Sequence, residues 1–234
     1  MLVTGFPAEA FGTNCYLVAT GPGEPCLVID PGIGVIDRLE AVLEEYRLTP
    51  AAVLLTHGHL DHTFSVAPVC GARGISAYVH PDDLEMLADP SKGLSMSLDQ
   101  LFGGRMTYAE PDDVVEIADG QVLEIAGLSM TISRAPGHTN GSVLFLTEGD
   151  EASSNGAPLC FSGDVLFAGS IGRTDLPGGD MGKMVTSLRE KILTLPDEMV
   201  VLPGHGPTTT IGRERASNPY LREASLPSAM QRGL

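Results

Sequence analysis

The stretch Thr56-His57-Gly58-His59-Leu60-Asp61-His62 holds three of the chain's six histidines and one aspartate within six residues. It directly follows Ala51-Ala52-Val53-Leu54-Leu55, a continuous apolar run of the kind that forms a strand covered on both faces. If that strand runs on, His57 and His59 at i and i+2 point to one side. Two neutral imidazoles on one side make half a metal site. Asp61 and His62 follow a turn and can face a second position nearby. Three more residues stand in similar surroundings. His138 lies in the tight loop Ala135-Pro136-Gly137-His138-Thr139-Asn140-Gly141-Ser142. Asp164 follows Ser162-Gly163 at the end of an apolar run, and His205 lies in Pro203-Gly204-His205-Gly206-Pro207. Together the seven supply five imidazoles and two carboxylates, a mixed N/O donor set suited to two divalent transition ions such as Zn²⁺, Fe²⁺ or Mn²⁺.

Outward from this cluster the chain alternates strands and helices, the pattern of an α/β protein. Residues 15–19 and 26–29 are short apolar runs around the turn Gly21-Pro22-Gly23. Val35, Ile36, Leu39, Val42, Leu43 and Tyr46 recur at helical spacing and stop before Pro50. Residues 75–79 predict another strand. Segments 114–117, 122–125, 129–133, 142–146 and 159–161 read as a β meander. Met181, Met184, Val185, Leu188, Ile192 and Leu195 mark a second amphipathic helix, and 199–202 the last strand. Residues 89–112 lack periodicity and read as a surface loop over a pocket. The chain also repeats itself. Leu27-Val28-Ile29-Asp30-Pro31-Gly32 leads through a helix to Val53-Leu54-Leu55-Thr56-His57, and Leu159-Cys160-Phe161-Ser162-Gly163-Asp164 leads through a helix to Val200-Val201-Leu202-Pro203-Gly204-His205. Each half has an Asp ending one strand and a His just after the next, so two such halves would bring these ends to one edge of a packed sheet pair.

The ordered series His57-Gly58-His59-Leu60-Asp61-His62, Gly137-His138, Gly163-Asp164 and Gly204-His205 resembles the metallo-β-lactamase superfamily over residues 1 to 212. Phe167-Ala168-Gly169-Ser170-Ile171-Gly172-Arg173-Thr174-Asp175-Leu176 and Leu202-Pro203-Gly204-His205-Gly206 resemble its short-form glyoxalase-II-like hydrolases. The resemblance implies the four-layer αββα sandwich, with the two halves as pseudo-two-fold repeats. It implies that His57, His59 and His138 hold one metal ion, that Asp61, His62 and His205 hold a second, and that Asp164 bridges them. Zn²⁺ is the first expectation, with Fe²⁺ or Mn²⁺ as alternatives. Residues 213–234 read as a short tail carrying Pro219 and Pro227, where full-length glyoxalase II has a helical domain that grips glutathione.

Composition narrows the function further. Fourteen Lys and Arg stand against thirty Asp and Glu, for a net charge of −16. Such a chain repels phosphate backbones, which argues against nucleic-acid binding. No apolar run approaches the ~20 residues of a membrane span. No basic region followed by an apolar stretch opens the chain, so no secretory signal is expected. Cys15, Cys26, Cys70 and Cys160 form no CxxC pair and read as buried thiols of a reduced, cytoplasmic protein.

Two ions sharing a water lower its pKa towards neutrality, so no protein nucleophile is required; no G-x-S-x-G occurs. The expected activity is hydrolysis of a small hydroxyacyl thioester, with Asp61 and Asp164 as the catalytic carboxylates and a hydroxide shared by the ions as attacker. The alternative within the same superfamily is a persulfide dioxygenase with one iron on His57, His138 and Asp164. Arg173 either meets a substrate carboxylate or braces its loop through Asp175. His80 and Asp30 read as structural, Asp30 bonding the turn beside the metal loop. Leu94 and Met96 sit in the segment over the pocket.

Overall fold

The computed structural model describes residues 1–95, 97, 100, 103 and 107–225. They build two six-stranded sheets. The first runs β1 (Leu2–Pro7), β2 (Asn14–Ala19), β3 (Pro25–Ile29), β4 (Thr49–Leu54), β5 (Ala77–Val79) and β6 (Val114–Glu116) in spatial order. Its first three strands are antiparallel and the last four parallel. The second sheet runs from β7 (Val122–Ile125) through β8 (Leu128–Arg134), β9 (Val143–Thr147), β10 (Leu159–Gly163) and β11 (Val200–Pro203) to β12 (Thr209–Thr210), with only β10 and β11 parallel.

Three apolar clusters define four layers. Tyr16, Val18, Leu27, Ile29 and Leu54 from one sheet meet Met130, Ile132, Phe145 and Phe161 from the other. The alternate residues Leu17, Val28 and Val53 point away, against Leu39 and Val42 of α1 (Ile36–Tyr46) and Val66 and Val69 of α3 (Val66–Gly71). On the far side, Leu144, Cys160 and Val201 pack on Met184, Leu188, Ile192, Ile211 and Leu221. The period-two alternation of each strand thus puts helices outside both sheets, which is the αββα sandwich.

The local chemistry explains several boundaries. Pro50 cannot donate to the ladder, and the register of β3 on β4 slips at Cys26/Leu27 where it sits. Asp180 caps the helix Met181–Ser187 through the Lys183 amide, 2.9 Å away. Residues 114–116 are not part of a meander. They follow a long crossover and so join the first sheet, parallel to β5. The strand β1 and the helices Ile211–Ser217 and Pro219–Ala224 lie beyond what periodicity showed. A boundary at 212 falls inside the first of these helices. Pro219 starts the second, at the position where its missing N–H costs nothing, and buries Leu221 and Ala224 against the body. Pro227 lies outside the described residues. Among the described residues no helix is long and apolar enough to cross a membrane, and all four cysteines are free and buried.

Phe161 is fully buried between the sheets, edge-on to Tyr16 at 5.4 Å. Phe161→Ala is expected to lower the stability of the metal-free protein by about 3–5 kcal/mol, read from the urea midpoint. A loss under about 1 kcal/mol would place the core elsewhere.

Candidate metal centre

The parallel pairs β3–β4 and β10–β11 end at the same edge of the sandwich, and the polar residues gather there. Asp30 follows β3, His57 and His59 follow β4, Asp164 follows β10, and His205 follows β11. The strand does not run through the histidines: β4 stops at Leu54, and His59 precedes the short α2 (Leu60–Thr63), which carries Asp61 and His62. The loop after β8 adds His138.

Seven side chains converge as the sequence suggests. His57 Nε2 and His59 Nδ1 lie 3.2 and 2.8 Å from His138 Nε2. His205 Nε2 lies 3.3 Å from His62 Nε2 and 3.2 Å from Asp61 Oδ2. Asp164 stands between these groups. Its Oδ2 is 3.4 Å from His138 Nε2 and 3.6 Å from His205 Nε2, and its Oδ1 is 3.4 Å from His62 Nε2. His57, His59 and His138 form one group whose ligand atoms lie within 4.8 Å of one another, and Asp61, His62 and His205 form another.

Outer hydrogen bonds fix the tautomers. His138 Nδ1 donates to the Arg173 carbonyl at 2.7 Å, and His62 Nδ1 donates to Asp30 Oδ2 at 2.9 Å. His57 Nδ1 is 3.1 Å from Thr56 Oγ1, whose own proton goes to Asp30. Each of these three rings therefore turns its Nε2 inward. Thr13 Oγ1 donates to Asp61 at 3.0 Å, while Asn14 and Tyr16 donate to the Pro203 carbonyl beside His205. Asp30 is thus more than a turn residue, because it orients His62. His80 is structural: its Nδ1 accepts from the Asp82 amide.

The charge states follow from burial and neighbours. Burial and the surrounding imidazoles push His57 well below its ordinary pKa, and burial with His138 pulls His59 down to about 3. Burial opposes the charge on His62 as well, but Asp164, Asp61 and Asp30 overcome it and raise that pKa well above the ordinary value. Burial raises Asp61 and Asp164, yet His62 and the other partners outweigh it and hold both below the usual carboxylate range. The interior therefore holds neutral imidazoles at His57 and His59 beside a charged His62 and ionised carboxylates. Asp164 Oδ1 is buried with no hydrogen bond. Such a donor set fits divalent cations and little else.

A cavity of about 540 Å³ opens over the cluster, walled by Phe11, Leu60, Leu94, Phe167 and Leu176. Met96 and Phe102 lie outside the described residues, while 90–93 form a short helical turn. Arg173 also lines the cavity, but its guanidinium is forked onto Asp175 at 2.7 and 2.8 Å. The loop from Phe167 to Arg173 is held from behind by Glu214, which is buried and accepts from the Gly169 amide at 2.7 Å, the Thr209 hydroxyl at 2.6 Å and Asn218 at 3.0 Å. Sequence reading missed Glu214, Thr13 and Asp83 because nothing in their local stretches marks the distant loops they bond.

In the metal-free protein the raised pKa of His62 keeps it protonated near neutrality, and a ligating imidazole must be neutral. Metal uptake at pH 7 is therefore expected to release protons, with affinity falling as pH drops. Calorimetric titration of Zn²⁺ in buffers of different ionisation enthalpy measures this. Heats independent of the buffer would refute it.

The family model described as the metallo-β-lactamase superfamily matches residues 8–205. A protein of Mycobacterium tuberculosis is 47% identical over 226 residues, covering 96% of this chain and 100% of that one. The hydroxyacylglutathione hydrolase GloC of Haemophilus influenzae is 35% identical over 219 residues, covering 94% and 97%. Among solved structures, the B3 metallo-β-lactamase BLEG-1 superposes with a TM-score of 0.79 at 35% identity, over 94% of this chain and 99% of its own. TTHA1623, in a di-iron-bound form, gives 0.76 at 36% over 93% and 99%. With this match across the two-sheet sandwich and its histidine edge, the chain belongs to the metallo-β-lactamase superfamily.

Proposed function

We propose that this protein is a metal-dependent hydrolase of small hydroxyacyl thioesters. The observation that carries the reading is the pair of triads sharing Asp164 beneath a largely apolar cavity. His57, His59 and His138 would hold one cation, Asp61, His62 and His205 the second, with Asp164 between them. Zn²⁺ fits this donor set, and so do Fe²⁺ and Mn²⁺. Two such cations supply a water acidified towards neutrality and an electrophilic clamp for a carbonyl oxygen.

The chain's own groups do the rest. Asp61, held by the Thr13 hydroxyl, presents to the cavity a carboxylate that orients a water. Phe11, Leu60, Leu94, Phe167 and Leu176 exclude bulk water and hold the apolar parts of a substrate. A thiolate leaves readily because thiols ionise near pH 8.5, so the site needs no strong general acid. Ser162 and the buried cysteines do not compete for the role. The Ser162 hydroxyl is buried and donates to the Leu166 carbonyl at 2.8 Å. Burial pushes the Cys26 and Cys160 thiols up to about 12, far from thiolate.

The relative named hydroxyacylglutathione hydrolase supports the thioester reading. The one-iron dioxygenase reading has its own support, since His57, His138 and Asp164 do meet. It leaves Asp61, His62 and His205 without a task, and their complete triad favours hydrolysis. Metal analysis joined to a thioester assay tests the choice: two equivalents with turnover support hydrolysis, and one iron with persulfide-dependent oxygen uptake overturns it.

Two substitutions sharpen that test. Asp164→Ala removes the carboxylate between the triads and leaves two cations to repel each other at short range. It is expected to lower metal content and to cut kcat/KM more than about 100-fold, beyond the loss of an outer partner. Full metal content with near-normal turnover would refute the bridge. His59→Ala is expected to lose metal and rate together. Retention of one tightly bound iron would instead support the dioxygenase.

A further inference from the structure

Asp83 is fully buried at the end of the short helical turn Pro81–Asp83, in the stretch His80-Pro81-Asp82-Asp83, and takes no part in the chemistry above. Its carboxylate accepts three hydrogen bonds from two different loops. Oδ2 takes the amide of Gly58 at 2.9 Å and the hydroxyl of Thr139 at 2.7 Å. Oδ1 takes the amide of Gly141 at 2.8 Å. Gly58 stands between His57 and His59, and Thr139 directly follows His138. One carboxylate thus ties together the two loops that carry all three histidines of the first triad.

The fit is tight. A Cβ on Gly141 would lie 2.5 Å from Asp83 Cγ, and one on Gly58 would lie 2.9 Å from the Asp83 carbonyl oxygen. Both loops close on the carboxylate only because they are glycine there. The second triad is anchored by other groups: Asp30 on His62, Thr13 on Asp61, and Asn14 with Tyr16 on the His205 loop.

We propose that Asp83 is the positioning residue of the first metal site alone, clamping the His57–His59 loop to the His138 loop so that three imidazoles meet at one point. The inference rests on the two-cation reading, and its test separates the two. An asparagine at this place keeps the shape but turns an NH₂ towards N–H or O–H donors, so the clamp opens on at least one side. The first triad then loses about 10- to 100-fold in metal affinity, the usual cost of removing a group that orients a ligand. The second triad keeps its affinity.

The experiment is a Zn²⁺ titration of metal-free protein labelled with ¹⁵N in its histidine rings, followed by NMR. In the wild type, five of the six imidazoles shift, His80 being the exception. In Asp83→Asn, His62 and His205 shift at wild-type concentrations, while His57, His59 and His138 follow only at higher Zn²⁺. Gly141→Ala, whose Cβ forces the same clamp apart, is expected to show the same split, and thermal unfolding checks that both variants are folded. Five imidazoles shifting together at wild-type concentrations in both variants would overturn the clamp, as would equal weakening of all five. If the wild type shifts only three, the two-cation reading falls, and Asp83→Asn still decides the clamp through the affinity of those three.

Discussion

His57 Nε2 and His138 Nε2 stand 3.2 Å apart with both lone pairs turned inward by their outer hydrogen bonds, and such a pair repels unless a positive charge lies between them. Most of the polar interior of this protein serves to hold that unfavourable arrangement. Burial and the neighbouring imidazoles together keep His57 and His59 neutral, outweighing the pull of Asp61 and Asp164 on His59. His62 sits among Asp30, Asp61 and Asp164 and has the opposite tendency. A metal-free cluster therefore stores protons and strain unevenly, and divalent cations relieve both at once.

The repeat in the chain makes this possible, and its two halves differ in an informative way. Asp30 and Asp164 occupy matching places after β3 and β10, and His57 and His205 follow the matching neighbours β4 and β11. The residue before the histidine differs. In the first half it is Thr56, whose amide and hydroxyl both bind Asp30 at 2.8 and 2.6 Å and turn that carboxylate sideways onto His62. In the second half it is Gly204, whose missing side chain leaves room for Asp164; a Cβ there would lie 2.2 Å from Asp164 Oδ1. A threonine captures one carboxylate and a glycine releases the other into the site. Equivalent positions thus give an orienting group in one half and a central donor in the other.

Much of this was legible in the sequence because it rests on period and spacing. The strands 15–19, 26–29 and 51–55 and the helix beginning at Ile36 follow from apolar alternation and helical recurrence. His57 through His62 announce themselves because four potential ligands in six residues have few other uses. Residues 114–116 defeated the reading, since a three-residue strand carries no sign of which sheet it joins. So did the helices after residue 210, which are short and whose buried face is decided by the sheet beneath them. Asp83, Glu214 and Thr13 escaped because each becomes an anchor through a distant partner, 58, 45 and 48 positions away for Gly141, Gly169 and Asp61. Tertiary contact, absent from any local window, assigns such roles.

The buried anchors also divide the work between the metal face and the substrate face. Asp30, Thr13 and Asp83 act on loops that carry candidate ligands. Glu214 acts instead on the turn at Gly169, and Asn218 joins it by donating to the Ser170 carbonyl at 3.0 Å. That turn carries Phe167, which faces His205 edge-on at 6.0 Å and forms part of the cavity wall. One strand of the arrangement crosses over, since the Arg173 carbonyl at the end of the same loop fixes His138. Apart from that contact, the Phe167 and Leu176 side of the cavity hangs from the second sheet and its C-terminal helices, while the HxHxDH loop, with Leu60, hangs from the first. A wall mounted apart from the metal loop can change its side chains with little disturbance of the donors. The shared geometry of the superfamily therefore specifies the donor set far more tightly than the substrate that comes to it.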